Sequence, residues 1–187
     1  MSEPSIGIRI LMQEHKNLGA VLGCLKRAST QVALGQGALN VELFTAAFDY
    51  VEEYLNTFHH PKENLYLFMA LRLRRPDLAG LLDLLESQHD AGEEVLARAR
   101  AATKQFQEDA DSVAFKDAID RYCQFEWDHM RLEEEEVIPA ALDSLTAPDF
   151  RTLDNAFTNN EDPIFSNARK DKFDKLRAYI SENMMTE

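Results

Sequence analysis

The chain has 187 residues, 33 acidic against 20 basic, and a formal net charge of −13. That length can bury a core as one domain without disulfide staples. So acidic a surface repels phosphate backbones, and no Lys/Arg cluster with interleaved aromatics offsets it, which argues against nucleic acid as a partner.

No apolar run reaches the roughly 18 residues of a membrane span. The start, MSEPSIGIRILMQEHK, lacks a basic stretch followed by an apolar one. Neither a signal peptide nor a membrane partner is therefore expected, and the cytoplasm is the expected compartment.

Apolar residues recur at three and four along most of the chain, the pattern of amphipathic helices. The first predicted helix runs from Ser5 to Leu34 and stops at Gly35–Gln36–Gly37, since glycine takes the backbone turn that ends a helix. The second runs from Asn40, a good N-cap, to Arg74, with Arg72, Arg74 and Arg75 at its end. Pro61 sits inside it, where the missing N–H and a clash with the Thr57 carbonyl predict a kink. Pro76 opens the third helix, to about Phe106. The fourth extends from Asp111–Ser112 to about Leu142.

Beyond Thr146 the texture changes. Asp149–Asn159 is a short amphipathic piece, NNEDP is a turn, and Lys170–Asn183 forms a last helix. The expected division is a four-helix unit over residues 1–146 and a helical extension over 147–187. The extension packs on the bundle or on a partner subunit, which leaves a homodimer open. Cys24 and Cys123 lie far apart without a CxxC spacing and read as buried free thiols. Tyr54, Tyr66, Tyr122 and Trp127 read as core aromatics, and a tyrosine near any metals could donate a supporting hydrogen bond.

The chemistry is in the histidines. There are five, His15, His59, His60, His89 and His129, spread over all four long helices. Two of them head a His-x-x-x-Glu spacing, His59 to Glu63 and His129 to Glu133. Residues four apart on a helix project onto the same face. Imidazole nitrogen with carboxylate oxygen suits iron, manganese or zinc.

The depths agree in an up-down-up-down arrangement. His15 and His59 each lie about 20 residues from their shared loop, and His89 and His129 about 17 and 18 from theirs. At about 1.5 Å per residue the mismatches stay within one turn. His60 projects about 100° from His59, with Glu63 between them, so all three can border one cavity if that wedge faces inward. Glu63 and Glu133 could then bridge two adjacent metals. In the run Glu133–Glu136, Glu133 shares the face of His129, and the next three read as solvated or supporting groups.

A rival pattern is Glu-x-x-His, at Glu86–His89 and Glu126–His129, the spacing of ferritin-like carboxylate bundles. It falls on consecutive helices and leaves His15, His59 and His60 without a part.

His15, then FHHPKE (Phe58–Glu63), QHDAGE (Gln88–Glu93) and DHMRLEEEEVIP (Asp128–Pro139) together resemble the hemerythrin-like, HHE cation-binding family over roughly residues 8–142. The resemblance implies an all-α, antiparallel four-helix bundle holding an oxo- or hydroxo-bridged pair of iron ions. His15, His59, Glu63, His89, His129 and Glu133 are the implied ligands. His60 stands where some iron-sensing relatives have an extra carboxylate.

Oxygen-carrying hemerythrins have His-x-x-x-His on the third helix and His-x-x-x-x-Asp on the fourth, whereas this chain has Glu93 after His89 and Glu133–Glu134 after His129. Its pattern is closer to members that handle nitric oxide or peroxide or that sense iron and oxygen. The expectation is a di-iron protein that binds O2, NO or peroxide in a sensing or stress role. The alternatives are a catalase- or peroxidase-like enzyme and an iron storage or transfer protein.

Overall fold

The computed structural model describes residues 4–159 and 173–184, and within these the chain is all helix. Helix α1 is Ile6–Ala33, with the Ser5 side chain accepting from the Ile8 N–H at its start. It ends as expected, with Gly35 in the left-handed region at φ 68°. Helix α2 covers residues 41–74, capped by Asn40, whose side chain accepts from the Leu43 N–H at 3.1 Å. A short 3₁₀ turn, Pro76–Leu78, leads into α3, Ala79–Asp109.

Helix α3 runs a turn beyond the expected end because nothing between Phe106 and Asp109 stops it. Ala110 closes it in the left-handed region, at φ 56°. Asp111 then accepts from the Val113 and Ala114 N–H groups and opens α4, residues 112–144. Helix α5 is Ala147–Thr158, entered through a reciprocal cap between Thr146 and Asp149, and α6 is Asp174–Met184. The NNEDP turn, except Asn159, and the first residues of the expected last helix lie outside the described residues.

The kink expected at Pro61 takes the form of widened turns. Val51–His59 and Glu63–Phe68 are π-helical, on either side of the short α segment His60–Lys62. In α4 the π segment Glu133–Val137 lies just before Pro139. A proline ring collides with the carbonyl four residues back. Bonding five residues back, as from the Ile138 N–H to the Glu133 carbonyl, opens the helix at that point. Both prolines thus act where the His-x-x-x-Glu segments lie.

The apolar interior is in two parts. One gathers Leu18, Leu22 and Leu25 of α1 with Phe44, Phe48 and Tyr50 of α2, Leu96 of α3, Phe115 and Ile119 of α4, and Leu176 and Ile180 of α6. The other joins Ile8 and Leu11 to Leu67, Phe68, Leu82, Leu85, Val137 and Ile138, closed by Leu153 and Phe157 of α5. Helix α5 packs on α1 and α2, and α6 on α1 and α2. Along each long helix a histidine falls between these two clusters, as His15 does between Leu11 and Leu18, so the polar layer is sandwiched between two apolar ones. Among the described residues no helix is long and apolar enough to cross a membrane.

Candidate metal centre

All five histidines and both carboxylates singled out in the sequence are buried, from Glu63 at 0 % exposure to His60 at 7 %. They meet in one layer. His15, His59 and Glu63 bring ligand atoms within 4.8 Å of one another, and so do His60, Glu63, His89 and His129. Glu63 belongs to both groups. Its Oε1 lies 3.2 Å from His59 Nε2 and 3.6 Å from His15 Nε2, while its Oε2 lies 3.4 Å from His89 Nε2.

Glu133 straddles the same two groups from the opposite helix. Its Oε2 is 3.3 Å from His15 Nε2, and its Oε1 is 3.4 Å from His129 Nε2 and 3.9 Å from His89 Nε2. The donors therefore define two positions. The first has His15 and His59, the second His60, His89 and His129, and one oxygen of each carboxylate faces each position.

The rings are held from behind. His59 Nδ1–H donates to Glu14 Oε2 at 2.7 Å and His15 Nδ1–H to Glu134 Oε1 at 3.0 Å. His89 Nδ1–H donates to Asn64 Oδ1 and His129 Nδ1–H to Gln88 Oε1, each at 2.9 Å. Such bonds fix the tautomer and aim the other nitrogen inward, the arrangement behind metal-binding imidazoles. His60 is held differently, stacked on His89 with ring centroids 4.0 Å apart.

Not every inward atom finds a hydrogen-bond partner. His89 Nε2 and His129 Nε2 stand 3.0 Å apart, each ring with its other nitrogen on an outward acceptor. All four oxygens of Glu63 and Glu133, with His15 Nε2, are buried without a hydrogen-bond partner among the described residues. Leaving such groups bare is costly, and a cation between them removes the cost. The spacing fits: two donors each about 2.1 Å from one ion, at tetrahedral or octahedral angles, stand about 3.0–3.4 Å apart.

Electrostatics point the same way. Burial pulls His59 down, but Glu63 and Glu14 outweigh it and hold the ring up at about 9. For His15 too, burial is overridden by Glu133, Glu134 and Glu63, and its affinity for protons rises well above the usual histidine range. Burial pushes Glu63 up, yet His59, His15 and His89 bring it well below the usual carboxylate range. Burial and the neighbouring His89 and His59 rings push His60 the other way, well below the usual range. The cavity holds two anions and calls for positive charge.

Several supporting residues were not legible. Glu14, Asn64 and Gln88 neighbour ligands in sequence, yet nothing in their spacing separates them from surface polar residues. Lys62 is buried on Glu14 at 3.1 Å. Tyr54 donates its hydroxyl to Glu14 at 2.5 Å, the supporting bond expected of a tyrosine near the centre. Tyr122 is fully buried, whereas Tyr66 is 38 % exposed and not a core residue.

The ferritin-like pairing does not assemble, because Glu86 sits in a partly exposed ion pair with Arg72. Its counterpart Glu126 is buried, and burial raises it to about 7 against the pull of His129. Glu93 is exposed. The two thiols are free and buried, and burial pushes each up to about 12.

An all-helical scaffold with an inward ring of imidazoles and shared carboxylates defines a helical metal-binding protein. A family model, the hemerythrin HHE cation binding domain, matches residues 6–141. The chain belongs to that family. No curated protein and no solved structure matches it significantly.

Proposed function

We propose that the chain is a cytoplasmic non-haem di-iron protein of antiparallel up-down-up-down design, and that its centre binds a small ligand such as O2, NO or peroxide in a sensing or stress role. The carrying observation is the pair Glu63 and Glu133, each with both oxygens buried, unsatisfied and turned to two different sets of imidazoles. Contacts of rising number on one helix with falling number on the next support the antiparallel design. Leu22 meets Cys123 while His15 meets Glu134, and Arg100 meets Asp49 while Arg72 meets Asp83.

Of the protein donors, His15, His59, Glu63 and Glu133 face the first position, and His60, His89, His129, Glu63 and Glu133 face the second. Four donors leave more of a coordination sphere open than five, so the first position is the one for an exogenous ligand. Iron there would supply Lewis acidity and one-electron chemistry. The chain's own residues orient the imidazoles, keep the layer dry between two apolar clusters and balance its charge. Zinc or manganese suits the same donors.

One observation favours a catalase- or peroxidase-like reading as the second choice. Glu126 is a buried carboxyl three residues before His129, and burial raises it to about 7, so it could supply a proton at the centre. The test is anaerobic purification with metal analysis, then visible spectra on separate addition of O2, NO and peroxide. Two equivalents of iron and a spectral change with at least one ligand are expected. Metal-free protein that refuses iron on reconstitution would overturn the reading.

A further inference from the structure

The family match ends at residue 141, and α5, which follows, meets the edge of the centre. Lys62 Nζ lies 3.1 Å from Glu14 Oε1 and 3.5 Å from Oε2. On its other side it lies 4.3 Å from the ring centroid of Phe157, a fully buried residue of α5. Glu14 Oε2 takes the His59 Nδ1 hydrogen at 2.7 Å, and Glu14 Oε1 the Tyr54 hydroxyl at 2.5 Å. A run of contacts thus joins Phe157, through Lys62 and Glu14, to a ring that faces the first metal position.

A lysine stem is long enough to carry its ammonium to water whenever a route is open. Here Lys62 is buried, and Phe157 offers the face of its ring to the charge. Helix α5 is itself firmly placed. Leu153 and Phe157 enter the apolar cluster of Ile8, Leu11 and Leu67, and Asp154 Oδ1 accepts the Gly7 N–H at 2.7 Å.

We propose that Phe157 is a positioning residue for the metal centre: it keeps Lys62 on Glu14, Glu14 keeps His59 aimed, and the C-terminal extension thereby sets how tightly the first position holds its metal. The inference rests on the dinuclear reading above. Removal of groups that orient a ligating histidine typically costs 10–100-fold in metal affinity, and Phe157 acts two contacts further back, so the lower end applies.

The competing account is that α5 merely adds stability. Leu153 separates the two, since it is as buried as Phe157, in the same helix and cluster, but has no part in the run from Lys62 to His59. Wild type, Phe157→Ala, Phe157→Tyr, Leu153→Ala and Lys62→Met would be loaded with Co2+. Release to a chelator and the visible cobalt bands would be recorded, with melting of the metal-free forms as the measure of stability.

Wild type should hold two equivalents. In Phe157→Ala and Lys62→Met one of the two should leave about tenfold faster, with a shifted cobalt spectrum. Phe157→Tyr should restore wild-type release, and Leu153→Ala should melt lower yet release as wild type does. Equal acceleration in Leu153→Ala and Phe157→Ala would overturn the proposal, as would unchanged release in Phe157→Ala. If Phe157→Ala does not fold, Phe157→Leu, which keeps apolar bulk without the ring face, decides by the same criterion. A wild type that takes up no metal would sink the dinuclear reading itself, whereas two equivalents held alike in all variants would sink only this inference.

Discussion

Glu63→Gln is the sharpest test of a shared, bridging carboxylate. The substitution keeps the shape and removes a buried anion whose two oxygens face His59 and His15 on one side and His89 on the other. Metal that binds only the folded chain at a hundred times its dissociation constant stabilises by about 2.7 kcal/mol per position, so two positions contribute about 5 kcal/mol. For a chain of this size each kcal/mol moves the melting temperature by about 2–4 °C, which predicts a gap of about 10–20 °C between metal-loaded and metal-free wild type. A ligand serving one position would halve that gap when lost. A ligand serving both should all but close it. Calorimetry of loaded and metal-free protein, with elemental analysis of the same samples, reads both quantities. Two equivalents of metal and an undiminished gap in Glu63→Gln would refute the bridging role.

The metal-free protein should lose stability as the pH rises. His59 has a folded value near 9 against about 6.5 unfolded, so the folded state binds the extra proton, and stability present below pH 6.5 disappears as pH climbs through 9. Glu126, raised to about 7, adds a loss of the same sign between about pH 4.5 and 7. Urea melts of the metal-free form at pH 6 and 9 should differ by a few kcal/mol, and a more stable form at pH 9 would contradict the charge balance drawn here. Gly7→Ala should weaken the seat of α5, because an added Cβ would stand 3.0 Å from Asp154 Oδ1 and 3.1 Å from the Leu153 carbonyl carbon. A cost of about 1–3 kcal/mol is expected, and an unchanged melting temperature would show that α5 is free to retreat. Cys123→Ser should keep both metal equivalents, since its sulfur contacts the Leu22 carbonyl in an apolar layer away from the imidazoles. Metal loss in that variant, measured by elemental analysis, would put the thiol in the centre.

What was legible in the chain was whatever repeats with the helix. The apolar period, the cap at Asn40, the helix starts near Ser5 and Asp111, and the equal depths of the histidines follow from helical geometry alone, so the elements and the layer came through. The supporting groups did not. Glu14 precedes His15, and Gln88 precedes His89, but each holds a histidine of a different helix. Which ring a polar side chain reaches across a helix interface depends on the rotation of both helices, a quantity no spacing within one helix contains. The extension was illegible for the same reason. Phe157 reads as one apolar residue in an amphipathic stretch, and only the fold sets its ring over Lys62.

The widened turns explain how α2 alone turns three donors, His59, His60 and Glu63, toward two positions. On a regular α-helix adjacent residues diverge by about 100°, which would swing one of two neighbouring histidines off a narrow inward face. Turns closed by bonds to the fifth residue back carry more residues per turn and so fewer degrees between neighbours. The His60 N–H bonds to the Leu55 carbonyl in this way, one residue before Pro61. His59 can then face His15 while His60 stacks on His89, their ring centroids 5.6 Å apart. The Pro61 ring would clash with the Thr57 carbonyl in a regular turn, which favours the wider one. On α4 the π segment ahead of Pro139 begins only at Glu133, after the regular turn that joins Glu133 to His129, and there the two oxygens of Glu133 reach both groups of imidazoles.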